Sequence, residues 1–196
     1  MSGADRVLYD KDIREPLFFF LEETYGKIRI LEEKRTGSAR ADVVMITPQF
    51  LYGIEIKSDA DSYTRLKKQV KNYDWYYDRN IIVVGSTHAA HVREHVPDTW
   101  GIIPVELDEK GRVDFYVIRE ATDNPKVKDK RKITILWRTE LNRLLERNKL
   151  LFDDLRKIVV YGIKFELLIP APGDGFFQGF YGTAGPEYEL VAVAAL

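Results

Sequence analysis

The spacing of apolar residues changes twice between residues 51 and 86, and this change limits the folds available to the chain. Ile54 and Ile56 alternate with Glu55 and Lys57, which is the period-2 pattern of a β-strand. The spacing then becomes three and four, as on one face of an amphipathic helix, at Tyr63, Leu66, Val70, Tyr73 and Tyr77. The apolar run NIIVVGS (80–86) follows and is typical of a buried strand. This order favours a layered α/β sheet.

The flanking residues extend this pattern in both directions. A helix is predicted over 10–25, with Gly26 as its end, and alternation at 27–31 predicts the first strand. After a predicted loop, RTGSARA (35–41), strands at 42–46 and 51–57 form a hairpin around Thr47-Pro48-Gln49. A short helix over 88–95 and strands at 102–107 and 113–119 complete the domain. The expected fold is a mixed β-sheet flanked by helices, in the order α-β-β-β-α-β followed by a short helix and two strands.

Composition limits the function classes that the chain can belong to. Its 196 residues are 45% hydrophobic and 31% charged, as in a soluble globular protein. The net charge of -1 provides no general attraction for nucleic acid, so such binding requires a local patch. The absence of cysteine excludes disulfides and thiolate metal sites. The sequence shows no signal peptide and no membrane span, so a cytoplasmic protein is expected.

The character of the sequence shifts after Glu120. Residues 126–149 hold nine Lys or Arg against three acidic residues, a net charge of +6, and include Lys130, Arg131 and Lys132. Residues 1–120 are therefore predicted to form the main domain, 121–165 a basic and partly helical extension, and 166–196 a Gly/Pro-rich tail of uncertain structure. The apolar end ELVAVAAL (189–196) suggests a homodimer or a partner subunit.

Three charged residues are predicted to meet at one end of the hairpin. Its turn pairs Asp42 with Glu55 or a residue within about two positions of it, and Lys57 lies on the same strand face as Glu55. Two carboxylates that approach raise each other's pKa unless a cation lies between them, and Mg²⁺ is a suitable cation. The alternative is a solvated Glu55–Lys57 ion pair that contributes about 0 to 1 kcal/mol to stability.

These residues carry a family resemblance. Asp42, twelve intervening positions and then Glu55-Ile56-Lys57 resemble the signature of the PD-(D/E)XK nuclease superfamily, although its Pro is replaced by Arg40-Ala41. The run from Gln69 to Tyr73 resembles the Q-x-x-x-Y element of many relatives. The region from Tyr9 to about Glu106 is similar to an uncharacterised bacterial and phage family of this superfamily. The resemblance implies a restriction-endonuclease-like core.

The resemblance also implies an activity and roles for individual residues. The expected protein is a Mg²⁺- or Mn²⁺-dependent deoxyribonuclease, in DNA repair or in phage or mobile-element defence. Asp42, Glu55 and the backbone carbonyl of Ile56 would hold the ion, with Glu15 from the first helix as a further ligand. Glu22, Glu32 and Glu33 are alternatives to Glu15. The remaining expected roles are activation of water by Lys57, orientation of the nucleophile by Gln69, and nucleic-acid contacts by Arg40, Tyr73, Lys130, Arg131 and Lys132.

Each of these interpretations has a plainer alternative. Gln69 is equally well explained as a solvated helix residue, and Tyr73 as a core residue. The aromatic run at Tyr73, Trp75, Tyr76 and Tyr77 can stack on bases or pack the core. The histidines, His88, His91 and His95, suggest zinc, a substrate-facing helix or a solvated one.

Two rival functions share the same fold. One is a nucleic-acid-binding or regulatory module that keeps the nuclease fold without turnover. The other is a nuclease subunit that is silent without a partner, since the sequence contains no evident domain for recognising a DNA sequence.

Overall fold

The computed structural model describes residues 7–135. The helices are α1 (Asp10–Tyr25), α2 (Leu66–Tyr76), α3 (Ser86–Ala89) and α4 (Asp129–Lys132). The strands are β1 (Arg29–Thr36), β2 (Ala39–Ile46), β3 (Leu51–Lys57), β4 (Arg79–Gly85), β5 (Gly101–Leu107) and β6 (Val113–Phe115). Short 3-10 turns lie at Tyr63–Arg65, Val92–Glu94 and Ile133–Ile135. The predicted α-β-β-β-α-β order is confirmed.

The six strands form one mixed sheet in the order β1-β2-β3-β4-β5-β6. Strand β2 is antiparallel to both β1 and β3. Strands β3, β4 and β5 are parallel, and β6 returns antiparallel to β5. Helix α2 is part of the connection between β3 and β4, as parallel strands require a crossover. The carboxyl ends of β3, β4 and β5 therefore lie along one edge of the sheet.

Helix α1 covers one face of the sheet. Ile13, Leu17 and Leu21 recur every four residues and are 0% exposed, so they form a single buried stripe. They pack with alternate residues of the central strands, including Ile54 and Ile56 of β3. The helix ends at Gly26, whose φ of 73° lies in the left-handed region that glycine adopts most easily.

Helix α2 covers the opposite face and lies unusually close to β3. Tyr73 and Tyr77 are fully buried there, together with Trp100. A Cβ atom on Gly53 would lie 2.2 Å from Cδ2 of Tyr77 and 2.7 Å from Cδ1 of Tyr73. The glycine in β3 thus permits the approach that brings α2 side chains onto the strand.

Three predicted element boundaries are wrong. The predicted loop 35–41 is mostly strand, because β1 and β2 form a tight hairpin around Gly37 and Ser38. The predicted helix 88–95 is divided between α3 and a 3-10 turn. The predicted strand 113–119 is regular only over β6, followed by an isolated bridge between Arg119 and Ile102.

The described residues include only the first part of the basic extension and none of the tail. The boundary predicted at 165, the 166–196 tail and the pairing segment 189–196 lie outside the described residues, as does most of the extension predicted over 121–165. None of the helices between residues 7 and 135 has the length and apolar character needed to cross a lipid bilayer.

Candidate functional site

The β2–β3 hairpin brings Asp42 to the end of β3. Val43 lies opposite Ile54 in the antiparallel register, and the same register extended by one residue sets Asp42 opposite Glu55. The backbone N–H of Ile56 donates a hydrogen bond to Oδ2 of Asp42 at 2.9 Å. The Asp42 side chain is therefore tied across the hairpin to the segment that carries Glu55 and Lys57.

Glu55 and Lys57 form a buried pair on the α2 face. Glu55 is 0% exposed and Lys57 5% exposed, so the solvated-strand interpretation of the pair is wrong. Nζ of Lys57 lies 2.5 Å from Oε1 of Glu55. Burying two charges is costly unless they are paired and hydrogen-bonded, and this pair meets that requirement.

Helix α2 supplies two further donors to Glu55. Nε2 of Gln69 donates a short hydrogen bond to Oε1, and the hydroxyl of Tyr73 donates to Oε2 at 2.8 Å. Burial, followed by the charges of Glu55 and Asp42, raises the pKa of Tyr73 well above its usual value, so the hydroxyl keeps its proton. Both oxygens of Glu55 are held by α2, and the interpretation of Gln69 as a solvated residue does not apply.

The site also perturbs the ionisation of Asp42. Burial and then the charge of Glu55 raise its pKa to about 7, while the Ile56 hydrogen bond and the charges of Lys57 and Arg14 oppose that rise. Two carboxylates at this range, one buried and one half-buried, favour a proton or another cation between them. Near neutral pH, Asp42 is therefore poised between its protonated and ionised forms.

Sequence reasoning missed Arg14, which faces Asp42 from α1. Its Nη1 donates to the backbone carbonyl of Asp42 at 3.1 Å, and its Nη2 lies 3.9 Å from Oδ1 of the same residue. The guanidinium also pairs with Asp10, Glu32 and Glu33. Burial would lower the pKa of Arg14, but its acidic neighbours raise it, so the group stays charged. The one available signal was its spacing of four from Asp10.

Glu33 lies beside the site in a strained conformation. The pairs Glu32–Val43 and Lys34–Ala41 flank it, which places Glu33 across the β1–β2 hairpin from Asp42. Its φ of 52° is unusual for a residue other than glycine, and such backbone costs on the order of 1–3 kcal/mol. Its carboxylate is held by Arg14 and Arg40, each at 2.5 Å.

The structure does not bring every predicted ligand to Asp42. Glu15 is exposed on α1, one position beyond Arg14, and successive helix positions point about 100° apart. Glu32 and Glu33 form ion pairs with Arg14. Arg14 in turn contacts Asp42. The first helix therefore presents a guanidinium to Asp42, where a carboxylate was expected.

Several predicted nucleic-acid contacts have other partners. Tyr73 is 0% exposed, so its predicted contact with nucleic acid is wrong, and its hydroxyl instead holds Glu55. Arg131 lies over the ring of Trp75 at 4.2 Å, and Lys132 forms a largely buried ion pair with Asp78. The predicted contacts of Arg131 and Lys132 would require these pairings to break, whereas Lys130 is exposed.

The three histidines do not form a metal site in this part of the chain. Residues 7–135 contain no group of three or more His or acidic residues arranged to hold a metal ion. His88 instead contacts the backbone carbonyl of Asp61 at 3.0 Å, and His91 pairs with Glu94. The zinc interpretation therefore has no support among the described residues.

Comparison with protein families identifies the chain. The family model described as "Bacteriophage P4 protein cII" matches residues 11–168, which include every site residue described above. The chain belongs to the bacteriophage P4 protein cII family. No curated protein matches this family member.

One solved structure resembles the cII-family fold at a distance. It is titled "The structure of Pyrococcus Furiosus SfsA in complex with Ca2+" and has 14% sequence identity and a TM-score of 0.38. The likeness covers 59% of this chain and 66% of that one, just under two thirds of its length. A likeness this distant carries no argument about function.

The donor set of this cII-family site fits a hard divalent cation. Asp42 and Glu55 provide two carboxylates beside the backbone carbonyl of Ile56, and burial together with the charge of Glu55 raises the pKa of Asp42. Mg²⁺ commonly binds through one or two carboxylates, keeps several waters and takes its remaining ligands from a phosphate. Two carboxylates therefore suffice for Mg²⁺, whereas a structural zinc site requires four ligands.

Proposed function

We propose that the chain is a metal-dependent nuclease of the PD-(D/E)XK type, which hydrolyses phosphodiester bonds of DNA. The observation that carries this proposal is the convergence of Asp42, Glu55 and Lys57 at one buried point, with Gln69 donating to Glu55. A buried ammonium and two carboxylates are expensive to maintain, and such groups cluster where chemistry requires them.

The two carboxylates are the proposed ligands of Mg²⁺ or Mn²⁺, together with the backbone carbonyl of Ile56. The bound ion supplies Lewis-acid stabilisation of the phosphate charge and lowers the pKa of a bound water. The hydrogen bond from Ile56 to Asp42 keeps the two strands in register, so the ligands from β2 and β3 hold their relative positions.

Lys57 is the proposed electrostatic and proton-handling residue. Its ammonium is fixed beside Glu55 at 2.5 Å, so little reorganisation is needed when negative charge develops on the phosphate. A positioned cation in a poorly hydrated site stabilises such charge more strongly than a solvated one. The same group can orient the attacking water and exchange a proton with it.

Gln69 is the proposed orienting residue for the water. Its Nε2 is committed to Glu55, while its Oε1 is buried and accepts no hydrogen bond from the described residues. A buried acceptor without a partner is costly, and a nucleophilic water would satisfy it. Tyr73 acts through Glu55 and is therefore a positioning residue.

Arg40 and Lys130 are the proposed contacts to the phosphate backbone. The Arg40 side chain is 66% exposed and lies beside Glu33, at the edge of the site. Lys130 is also exposed, in the basic segment that packs on α2. Such contacts position nucleic acid without reading its sequence.

The test is a panel of labelled single-stranded, duplex and branched DNA, incubated with purified protein and Mg²⁺ or Mn²⁺. Cleavage that disappears with a chelator and in Asp42→Asn would support the proposal. The exposed-acid variant Glu15→Gln is a matched control and should cleave at the wild-type rate. Absence of ion-dependent cleavage by the wild-type protein on every substrate would contradict it.

One observation favours the rival function, a nucleic-acid-binding or regulatory module without turnover. Lys57, Gln69 and Tyr73 already occupy both oxygens of Glu55, so the carboxylate is satisfied without an ion. Tight nucleic-acid binding that is indifferent to Mg²⁺, with no cleavage product, would select this alternative.

A further inference from the structure

Three aromatic rings form a tilted stack near the candidate site, with interplanar angles of 43° and 48°. The ring of Tyr63 lies 4.3 Å from that of His95 and 4.7 Å from that of His88, centroid to centroid. The Tyr63 hydroxyl donates to the backbone carbonyl of His88 at 3.1 Å, which fixes the tyrosine ring against the two imidazoles. The outer ring, His95, belongs to an exposed residue.

The stack is connected to the candidate site by a short, rigid path. Ser58 directly follows Lys57, and its backbone N–H and hydroxyl both donate to Oδ2 of Asp61. The carbonyl of Asp61 contacts Nε2 of His88 at 3.0 Å. Tyr63 precedes Gln69 by six residues of helical turn, which corresponds to about 10 Å along the axis. The rings therefore lie within a few nucleotides of the proposed cleavage point.

The surroundings of the stack favour an anionic ligand. Exposed cations lie on the adjoining α2 segment and the 3-10 turn before His95, at Arg65, Lys67, Lys68, Lys71 and Arg93. The acidic residues nearby have intramolecular partners: Asp61 accepts from Ser58, Asp59 accepts from Thr87, and Glu94 pairs with His91. Aromatic faces combined with positive charge are the features that bind single-stranded nucleic acid.

We propose that His95, backed by Tyr63 and His88, is a stacking platform for an unpaired base of single-stranded DNA next to the scissile phosphate. This inference rests on the proposed function, because it names the form of substrate that the same site accepts. Tyr63, whose hydroxyl is bound to the backbone of His88, packs against the His95 ring and holds it in place. A base therefore gains contact without first ordering a mobile side chain. A paired base inside a duplex does not expose its face and gains nothing from the platform.

The test measures binding of a short single strand containing 2-aminopurine, whose fluorescence falls when the base stacks. Full-length protein is used with a chelator present, so that binding is separated from cleavage. His95→Ala should weaken binding by about fivefold or more and abolish the quenching, since loss of one stacking side chain has effects of this size. His95→Phe retains a flat ring and should bind within about twofold of wild type. His91→Ala is the matched control, because His91 is exposed in the same segment but pairs with Glu94.

Three outcomes would overturn the platform. The first is wild-type affinity and quenching in His95→Ala, the second is a loss in His95→Phe equal to that in His95→Ala, and the third is an equal loss in His91→Ala. The last two results would assign the effect to charge in place of stacking.

Ion-dependent cleavage by the same wild-type preparation separates the two proposals. If cleavage is present while the platform test fails, only the platform is wrong. If binding and cleavage are both absent, the proposed function fails as well.

Discussion

The two faces of strand β3 carry opposite kinds of side chain. Toward α1, Ile54 and Ile56 join an apolar cluster that contains Leu17. Toward α2, Glu55 and Lys57 form a buried ion pair. The first face gains stability from apolar burial, whereas the second must offset the desolvation of two charges. The comparison indicates that along β3 the α1 face contributes apolar burial, whereas the α2 face carries the charged groups that the proposed function would use.

The largest expected effect is on the stability of the α2 face. Lys57→Met leaves the charge of Glu55 buried without its cation and should lower the free energy of unfolding by about 3–5 kcal/mol. The double variant Glu55→Gln, Lys57→Met removes both charges and should return to within about 1 kcal/mol of wild type or exceed it. Urea denaturation of the three proteins measures this. A double variant as unstable as the single one would show that the pair stabilises the fold.

The same variants separate stability from activity. At a temperature where Lys57→Met remains folded, its turnover should fall by about 10²-fold or more, while ion binding persists because lysine is not a ligand. Glu55→Gln should weaken ion binding itself. Single-turnover cleavage and ion titration on the same samples measure both effects, and a Lys57→Met protein that cleaves at the wild-type rate would remove Lys57 from the mechanism.

The next largest expected effect is a loss of stability on the α1 face. Ile54→Ala removes a fully buried side chain and should cost about 2–5 kcal/mol of stability. Ion affinity per folded molecule should not change, because the lost atoms face away from the site. Denaturation combined with calorimetry at low temperature checks this, and a large loss of ion affinity in a folded protein would show that the two faces are not independent.

A smaller effect is expected from pH. The pKa of Asp42 is raised to about 7, so below that pH a divalent ion must displace a proton. Ion affinity should be about tenfold weaker at pH 6 than on the plateau above neutrality. Without the ion, the raised pKa means that the Asp42 contribution to stability falls as pH rises from about 4 to about 7. Calorimetry and denaturation across pH measure both trends, and Asp42→Asn should remove both.

The smallest effect concerns the basic segment packed on α2. Lys130→Gln should flatten the slope of log affinity against log salt by about 0.9 if Lys130 neutralises one DNA phosphate. Exposed Lys110, in the turn before β6, offers the control Lys110→Gln. Lys132→Gln is unsuitable because it breaks the pair with Asp78. An unchanged slope would place the segment away from nucleic acid.

Much of the fold followed from periodicity and turn chemistry. The extent of α1 and of β3, and the pairing that brings Asp42 to Glu55, depend on local spacing that the sequence displays. The division of residues 86–94 into α3 and a 3-10 turn was not predictable from the histidine spacing. In that segment Val92 is buried while its neighbours Arg93 and Glu94 are exposed, too few buried positions to define a helix face.

The environment of the site was only partly predictable. Alternation places Glu55 and Lys57 on one strand face, but it does not show what covers that face. The close approach of α2 depends on tertiary packing over Gly53, for which a glycine within a strand is only a weak signal. Arg14 escaped prediction because helix periodicity identifies buried apolar positions, and a guanidinium acquires its role from strands distant in sequence.

The most direct measurement is an isothermal titration of Mg²⁺ and Mn²⁺ into the wild-type protein, Asp42→Asn and the exposed-acid control Glu15→Gln, at pH 8. If Asp42 and Glu55 form an ion site, the wild type and Glu15→Gln should bind one ion per chain with equal affinity. Asp42→Asn should lose that binding while keeping its fold by circular dichroism. Equal binding by Asp42→Asn and wild type, or no binding by the wild type, would contradict the account.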